Sequence, residues 1–458
     1  MESKKISLIE GNAKIGMLKF AFPIFLGQVC QQLYNVVDAI VVGNYVGQNA
    51  LAAVTSTGAL IFLLVGFFGG MFSGVGVIIS RYFGANDEKK IKKAVGTAVS
   101  FGLISGTILT IVGTLLTPTL LRLMGTPDNV FQDSSIYIRT YFTGILFVVM
   151  YNTACGIFQA VGDSKRPLYY LVISAVINVV LDILFVGFFN MGVIGAAIAT
   201  VISQGTSAFL AFFRLARIDS IYKVTLKGIC IEKSILKGMI NIGLPSGIQN
   251  SVIAFANVVV QSSVNSFGAV VMAGNGAYIK LEGFAFIPVT AFSMAITTFV
   301  SQNIGAENFD RVKDGARFGI IFSCVCAELI GLVIFVLAPY LISIFGNNPE
   351  VIAVGTQRAH LNALFYFLLS FSHCISGVLR GAGRSKIPML TMLICWCVIR
   401  VSYIKIATYF INNVAVVFWA YPITWFLSST VFLIYYKKSN WLEDCKNKML
   451  IAKAESNA

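Results

Sequence analysis

Twelve apolar stretches succeed one another along the chain, at about 15–44, 50–80, 92–117, 131–160, 166–188, 191–216, 236–264, 270–302, 314–340, 351–380, 386–411 and 414–436. Each meets or approaches the ~20 residues that carry an α-helix across the hydrocarbon core of a bilayer. Several are longer, which predicts tilt and protruding ends. The polar breaks between them repeat. Residues 156–167 read GIFQAVGDSKRP and residues 377–388 read GVLRGAGRSKIP, at an offset of 221. The same offset carries Ser80, Gly84, Ala85 and Lys92 onto Ser301, Gly305, Ala306 and Lys313. One position out of register, Phe22-Pro23 matches Leu244-Pro245. The pattern predicts an all-α polytopic membrane protein, with twelve transmembrane helices in two pseudo-symmetric six-helix lobes. An even number of spans per copy inserts both copies the same way, so the lobes should be related by an axis along the membrane normal.

Composition agrees with the pattern. The 458 residues are 57% hydrophobic and 12% charged, with a mean hydropathy of +0.81. That is about half the charge of a soluble domain. The 41 glycines suit close helix approach. The first apolar stretch is too long for a signal-peptide core and lacks a cleavage pattern. A net charge of +14 on a soluble chain would suggest nucleic acid. Here the charge sits in alternate loops, and 28 of the 34 Lys and Arg residues fall on one side. Arg122, with Arg139 and Arg358 near segment starts, is assigned to the other side. Both termini are therefore expected in the cytoplasm, with the chain in the plasma (inner) membrane. The expected lobes are 1–216 and 236–436, joined by a basic linker at 217–235 and followed by a tail at 437–458. The nine cysteines read as small core hydrophobes.

Ionisable groups at membrane depth cost about 2.5–3.5 kcal/mol each on insertion scales, so each needs a reason. In the first segment Asp38, Asn35, Gln31 and Gln28 share one helical face. Pro23 lies deeper in that segment and is a candidate hinge. In the fifth, Asp182, Asn178 and Ser174 share another face. Tyr137 in the fourth segment, and Thr200 and Gln204 in the sixth, fall at similar depth. Two carboxylates in one low-dielectric site cannot cheaply both ionise, so the site takes a proton or another cation. Oxygen-only ligands suit a hard ion such as Na⁺. The alternative is a pair of acids that merely hold the lobe together. In the second copy the offset places Ile399, Tyr403 and Tyr421 where Asn178, Asp182 and Thr200 stand, so cation coupling is expected only in the first. Glu282 and Arg400 are expected to form a structural ion pair, with Lys280 as an alternative partner. Glu328 has no evident role. No metal centre or cofactor is indicated beyond Na⁺ at the Asp38/Asp182 site.

Internal duplication of this kind marks secondary transporters, whose working site lies at or near the repeat interface. The chain resembles the multidrug and toxic compound extrusion (MATE) antiporters over nearly all its length. The matching features are Pro23 fifteen residues before Asp38, GNYVGQNALAAV at 43–54, SRYFGA at 80–85, the elements GDSKRP and GRSKIP, and the six-plus-six plan. It is most similar to the DinF-type branch, whose cation site falls here on Asp38, Tyr137, Asn178, Asp182 and Thr200. The NorM-type branch adds acids in its seventh and tenth helices, which are lacking here. The resemblance implies export of amphipathic, often cationic, organic compounds in exchange for H⁺ or Na⁺, by a protein expected to work as a monomer. It places the substrate cavity between the lobes, with Gln28, Gln31, Asn35, Asn152, Gln204, Asn250, Asn257 and Gln261 as candidate contacts. The alternative is a lipid-linked precursor flippase of the same wider superfamily, disfavoured because the polar stripes are neutral and acidic. Motifs for an intramembrane enzyme are not found, and a channel would need no paired acids.

Overall fold

The computed structural model describes residues 8–45, 48–123, 126 and 128–447, with side chains described except at 35, 38–44, 48–65, 123 and 128–129. Regular structure among the described residues is helical throughout. The first repeat comprises α1 (Ala13–Tyr45), α2 (Gln48–Gly84), α3 (Glu88–Leu123), α4 (Asp128–Thr143 continued by Ile145–Ala160), α5 (Lys165–Phe188) and α6 (Gly192–Arg217). The second comprises α7 (Lys233–Asn265), α8 (Ala269–Gly305), α9 (Phe309–Ser343), α10 (Pro349–Gly381), α11 (Lys386–Phe410) and α12 (Val414–Lys438). Ten are long and apolar enough to cross a membrane, and the two halves of α4, bent by 47°, make an eleventh. At 37 residues, α2 is long enough to be the twelfth.

The duplication is written into the backbone. Helices begin at Gln48 and Ala269, at Glu88 and Phe309, at Asp128 and Pro349, at Ile145 and Tyr366, and at Lys165 and Lys386. They end at Gly84 and Gly305, at Ala160 and Gly381, and at Arg217 and Lys438. Every pair keeps the offset of 221. The break in α4 at Gly144 recurs in α10 as a 3₁₀ turn at Ala363–Phe365. Gly162 and Gly383, from the repeated GDSKRP and GRSKIP elements, both have positive φ (84° and 81°). This is the left-handed turn that only glycine enters at no steric cost, and it fixes how α4 leads into α5 and α10 into α11. Pro167 and Pro388 then fall in the first helical turn, where a missing N–H is harmless.

Two compact units emerge. One spans Phe22–Gly243. The other takes in the chain from Leu244 onward and, at its start, the stretch that ends at Ala21. The units change over at Phe22 and Leu244, each one residue before a proline, Pro23 and Pro245. Within the first unit, α4 packs on α2, α3 and α6, and α5 lies on α6. A buried apolar core runs through Val75, Ile79, Val95, Val149, Phe158 and Leu215. Within the second, α8, α9 and α10 pack together, and α12 joins α10 and α11. Straps precede α1 and α7. Arg311 donates to the carbonyls of Leu8, Glu10 and Gly11, at 3.2, 2.9 and 2.7 Å. Before α7, the backbone N–H of Glu232 donates to Thr97 Oγ1 at 3.1 Å, and its carboxylate pairs with Lys93 at 3.3 Å.

In the first unit α2 and the start of α7 approach to backbone contact. A Cβ on Gly74 would lie 2.2 Å from the Met239 carbonyl oxygen, and one on Gly243 would lie 2.3 Å from that of Met71. Small residues permit such approach between membrane helices, where van der Waals packing drives association. Gly243→Ala is expected to force the two backbones apart and to cost about 1–3 kcal/mol. A melting temperature of the purified variant equal to wild type would show that the contact is dispensable.

Candidate functional site

On α5, Asn178 and Asp182 are both 0% exposed, and Ser174 is buried on the same face. That face lies on α6, because Ser174 Oγ donates to the Ser203 carbonyl at 2.8 Å. One turn toward the start of α6, Thr200 is buried and donates its hydroxyl to the Ala196 carbonyl at 3.0 Å. Its oxygen is thereby left to accept. Tyr137 on α4 is buried in an apolar cluster with Val186 of α5 and with Val193, Ala196 and Ala197 of α6. Val37 of α1 packs against the same cluster. Four helices therefore meet around one level: α1 beside Asp38, α4 at Tyr137, α5 one turn beyond Asp182, and α6 one turn before Thr200. Gly144 tightens the junction. A Cβ there would lie 2.5 Å from the side chain of Val201 on α6.

The helix changes character at the acid. Asp182 closes the α-helical part of α5, and Ile183–Phe188 continues as a π-helix. Such turns are rare and concentrate at functional sites. The Asn178 amide has no hydrogen-bond partner among the described residues. A fully buried amide in that condition costs about 1–3 kcal/mol, so a ligand that used it would recover the loss. The helix of α1 runs on through Asn35 and Asp38, whose side chains lie outside the described residues. Asn178, Asp182, Tyr137 and Thr200 are thus buried within one four-helix junction, on helices that the sequence stripes single out.

The expected substrate contacts are more open. Gln28, Asn152, Gln204 and Asn250 are partly exposed, and Gln31 and Asn257 are exposed. Asn152 returns its Nδ2 to the Val148 carbonyl at 2.8 Å, within its own helix. Gln261 is committed elsewhere: its Oε1 accepts from Asn275 at 2.9 Å and its Nε2 donates to Asn265 at 2.7 Å.

In the second unit the expected pairing of Glu282 with Arg400 is corrected. Glu282 pairs with Arg358, at 3.7 Å. Arg400 instead donates Nε and Nη2 to Thr424 Oγ1, at 3.0 and 2.8 Å, and lies over the rings of Tyr421 and Trp396. Arg358, assigned from sequence to the far loops, is 1% exposed. It lies nine residues inside α10, between the rings of Tyr278, Tyr421 and Phe418, and donates to Asn275. Position near a segment start hid its burial; the signal available was the offset, which sets it opposite Tyr137. Lys280 is exposed and lies 5.3 Å from the Phe345 ring, away from this cluster. Glu328 gains a role: it accepts the backbone N–H of Phe367 at 3.1 Å, in the first turn of the helix that restarts at Tyr366. Among the described residues no His, Cys, Asp or Glu group could hold a metal ion by itself, and the nine cysteines are free.

The MatE family profile matches this chain twice, over residues 23–184 and 245–406. The chain belongs to the MatE family. The two matches begin at Pro23 and Pro245, and each ends in the membrane helix that follows the repeated Gly-rich turn. Among curated relatives, this MatE protein is 30% identical to the probable multidrug resistance protein YoeA of Bacillus subtilis strain 168, covering 83% of the chain and 84% of that protein. It is 29% identical to the probable multidrug resistance protein YpnP of the same strain, over 96% and 98%. A MATE crystal structure in complex with MaL6 superposes with a TM-score of 0.90 at 22% identity, over 97% of this chain and 100% of that one.

Glu328 provides a direct check on the broken helix of this MatE protein. Glu328→Ala is expected to cost about 1 kcal/mol, the usual loss on removing a helix cap, with Glu328→Gln retaining most of the stability. Thermal melts of the two purified variants would show this ordering, and equal losses would contradict a capping role.

Proposed function

We propose that this MatE protein is a cation-coupled antiporter that exports amphipathic, often cationic, organic compounds. The observation that carries the reading is the full burial of Asn178 and Asp182 on α5, one to two turns from Val186, which packs with Tyr137 of α4, Ala196 of α6 and Val37 of α1. The names of the curated relatives, multidrug resistance proteins, favour the same class of cargo. It is a transporter rather than an enzyme.

Asp182, with Asp38 supplied by α1, forms the exchange site. Together the acids hold one H⁺ or Na⁺, because two bare carboxylates at this depth repel and lack water. Asn178 and Thr200 contribute neutral oxygens, and Tyr137 closes the site from α4. In the outward-facing state the site fills. Filling neutralises it, changes how α1 packs on α5, and favours release of cargo outside. Reorientation then carries the ion in, and each inward charge gains about 2.3 kcal/mol per 100 mV of membrane potential. The partly exposed amides Gln28, Asn152 and Gln204 are the cargo contacts. The bias of basic loops puts both termini in the cytoplasm.

The test is efflux of a fluorescent organic cation from proteoliposomes, driven in turn by a Na⁺ gradient and by a pH gradient. One gradient should drive wild-type transport. Asp38→Asn should fall to the leak rate of empty vesicles while remaining folded. Wild-type rates in that variant, or no gradient-driven transport by the wild type, would overturn the proposal.

A further inference from the structure

The repeat sets the buried polar sites of the two units in correspondence, position by position. Residue 137 answers to 358, 178 to 399, 182 to 403 and 200 to 421. The helix ends around these positions keep an offset of 221 or 222, with Phe188 and Gly192 answering to Phe410 and Val414 at 222. Asp128 and Ile145 answer to Pro349 and Tyr366, Lys165 to Lys386, and Arg217 to Lys438. Equivalent residues therefore occupy equivalent places in α4 and α10, and places within one residue of each other in the two helices that follow.

Their chemistry is inverted. Where the first repeat has the neutral oxygen of Tyr137, the second has the guanidinium of Arg358. Where the first has Asn178 and Asp182, the second has Ile399 and Tyr403, with Arg400 beside them. Where the first has Thr200, the second has Tyr421, whose ring centre lies 4.8 Å from the Arg358 guanidinium and 4.5 Å from that of Arg400. Both arginines are at most 2% exposed. Glu282 on α8 is the acid of this cluster. It faces Arg358 at 3.7 Å and accepts from the Tyr278 hydroxyl at 3.4 Å, which in turn bonds Tyr366 at 2.7 Å. Asn275 takes the other edge of Arg358 and is held by Gln261 of α7, within a residue or so of the position equivalent to Asp38.

We propose that the second repeat keeps the exchange site with its cation built in: the Arg358 guanidinium stands where the first repeat takes up its mobile ion, and Glu282 is the carboxylate that faces it. The mobile-ion part rests on the function proposed above. A free cation approaching Glu282 meets two fixed positive charges, and the carboxylate already has its partner. Removing one member of a buried pair leaves an uncompensated charge. Loss of Arg358 should therefore turn Glu282 into a site that takes up a cation from solution. The second unit is permanently loaded, and ion exchange is confined to the first by charge rather than by loss of the site.

The experiment measures melting temperature of the purified full-length protein in Na⁺ against N-methylglucamine at constant ionic strength, and along a pH series for the proton. A cation that binds the folded state raises the melting temperature. In Asp182→Asn the cation response should vanish. In Asp182→Asn with Arg358→Gln it should return, as a rise of about 3 °C with Na⁺ or on acidification. Adding Glu282→Gln should abolish it again. No returned response in the folded double variant would overturn the proposal. Glu282→Gln alone provides a second arm should Arg358→Gln not fold: the wild-type cation response must survive it, and loss of that response would show that Glu282 already exchanges an ion. A wild type with no cation response would count against the first-repeat site. Arg358→Gln alone would then decide the second, by gaining a response or not.

Discussion

A charge taken out of water and held among helices must be matched by another, and both repeats are built around that requirement. In the first repeat the buried charge is a carboxylate. Asp182 is wholly buried, Asn178 is buried one turn away on the same face, and Thr200 and Tyr137 are buried on the neighbouring α6 and α4. Under the exchange proposed above, these groups lower their energy by accepting a small positive ion. In the second repeat the corresponding requirement is met from within. Arg358 is matched by Glu282, and Arg400 is held by the Thr424 hydroxyl and the ring faces of Tyr421 and Trp396.

The scaffold that allows this divergence is nearly unchanged between copies. Helices start and stop at matching positions, and α4 and α10 both break near their midpoints. A broken helix exposes backbone donors and acceptors that a continuous one would satisfy itself. The two copies handle the break differently. Gly144 lets α4 lie against Val201 of α6, beside Thr200. In α10, the carboxylate of Glu328 takes up a free N–H of the restarted helix. The same backbone event thus shapes a site in one copy and is sealed by a side chain in the other. Interhelical glycines such as Gly74 and Gly243 set how closely the frame can draw together.

Much of this was legible in the sequence. Twelve apolar stretches, the offset of 221 and the stripe of Ser174, Asn178 and Asp182 depend only on period and spacing, and these survive into the structure. What escaped depends on depth and on partners across helices. Arg358 reads as a loop-side charge because it follows a helix start by only nine residues, yet α10 begins early enough to bury it. Glu282 and Arg400 both lie deep in their segments, which suggests a pair, but Arg400 turns toward Thr424 on the neighbouring α12. Gln261, read as a cargo contact on a polar stripe, is drawn sideways to Asn275. The π-helix after Asp182 had no signal, since Ile183–Phe188 is an apolar run that suits either helical form.

In the proposed exchange, cargo and a mobile cation compete through Asp182. The most direct measurement is release of H⁺ or Na⁺ from purified protein, in weakly buffered detergent solution, on addition of an organic cation that it exports. Release by wild type and none by Asp182→Asn is the expected result. Cargo binding to wild type with no ion released, or equal release by the variant, would contradict it.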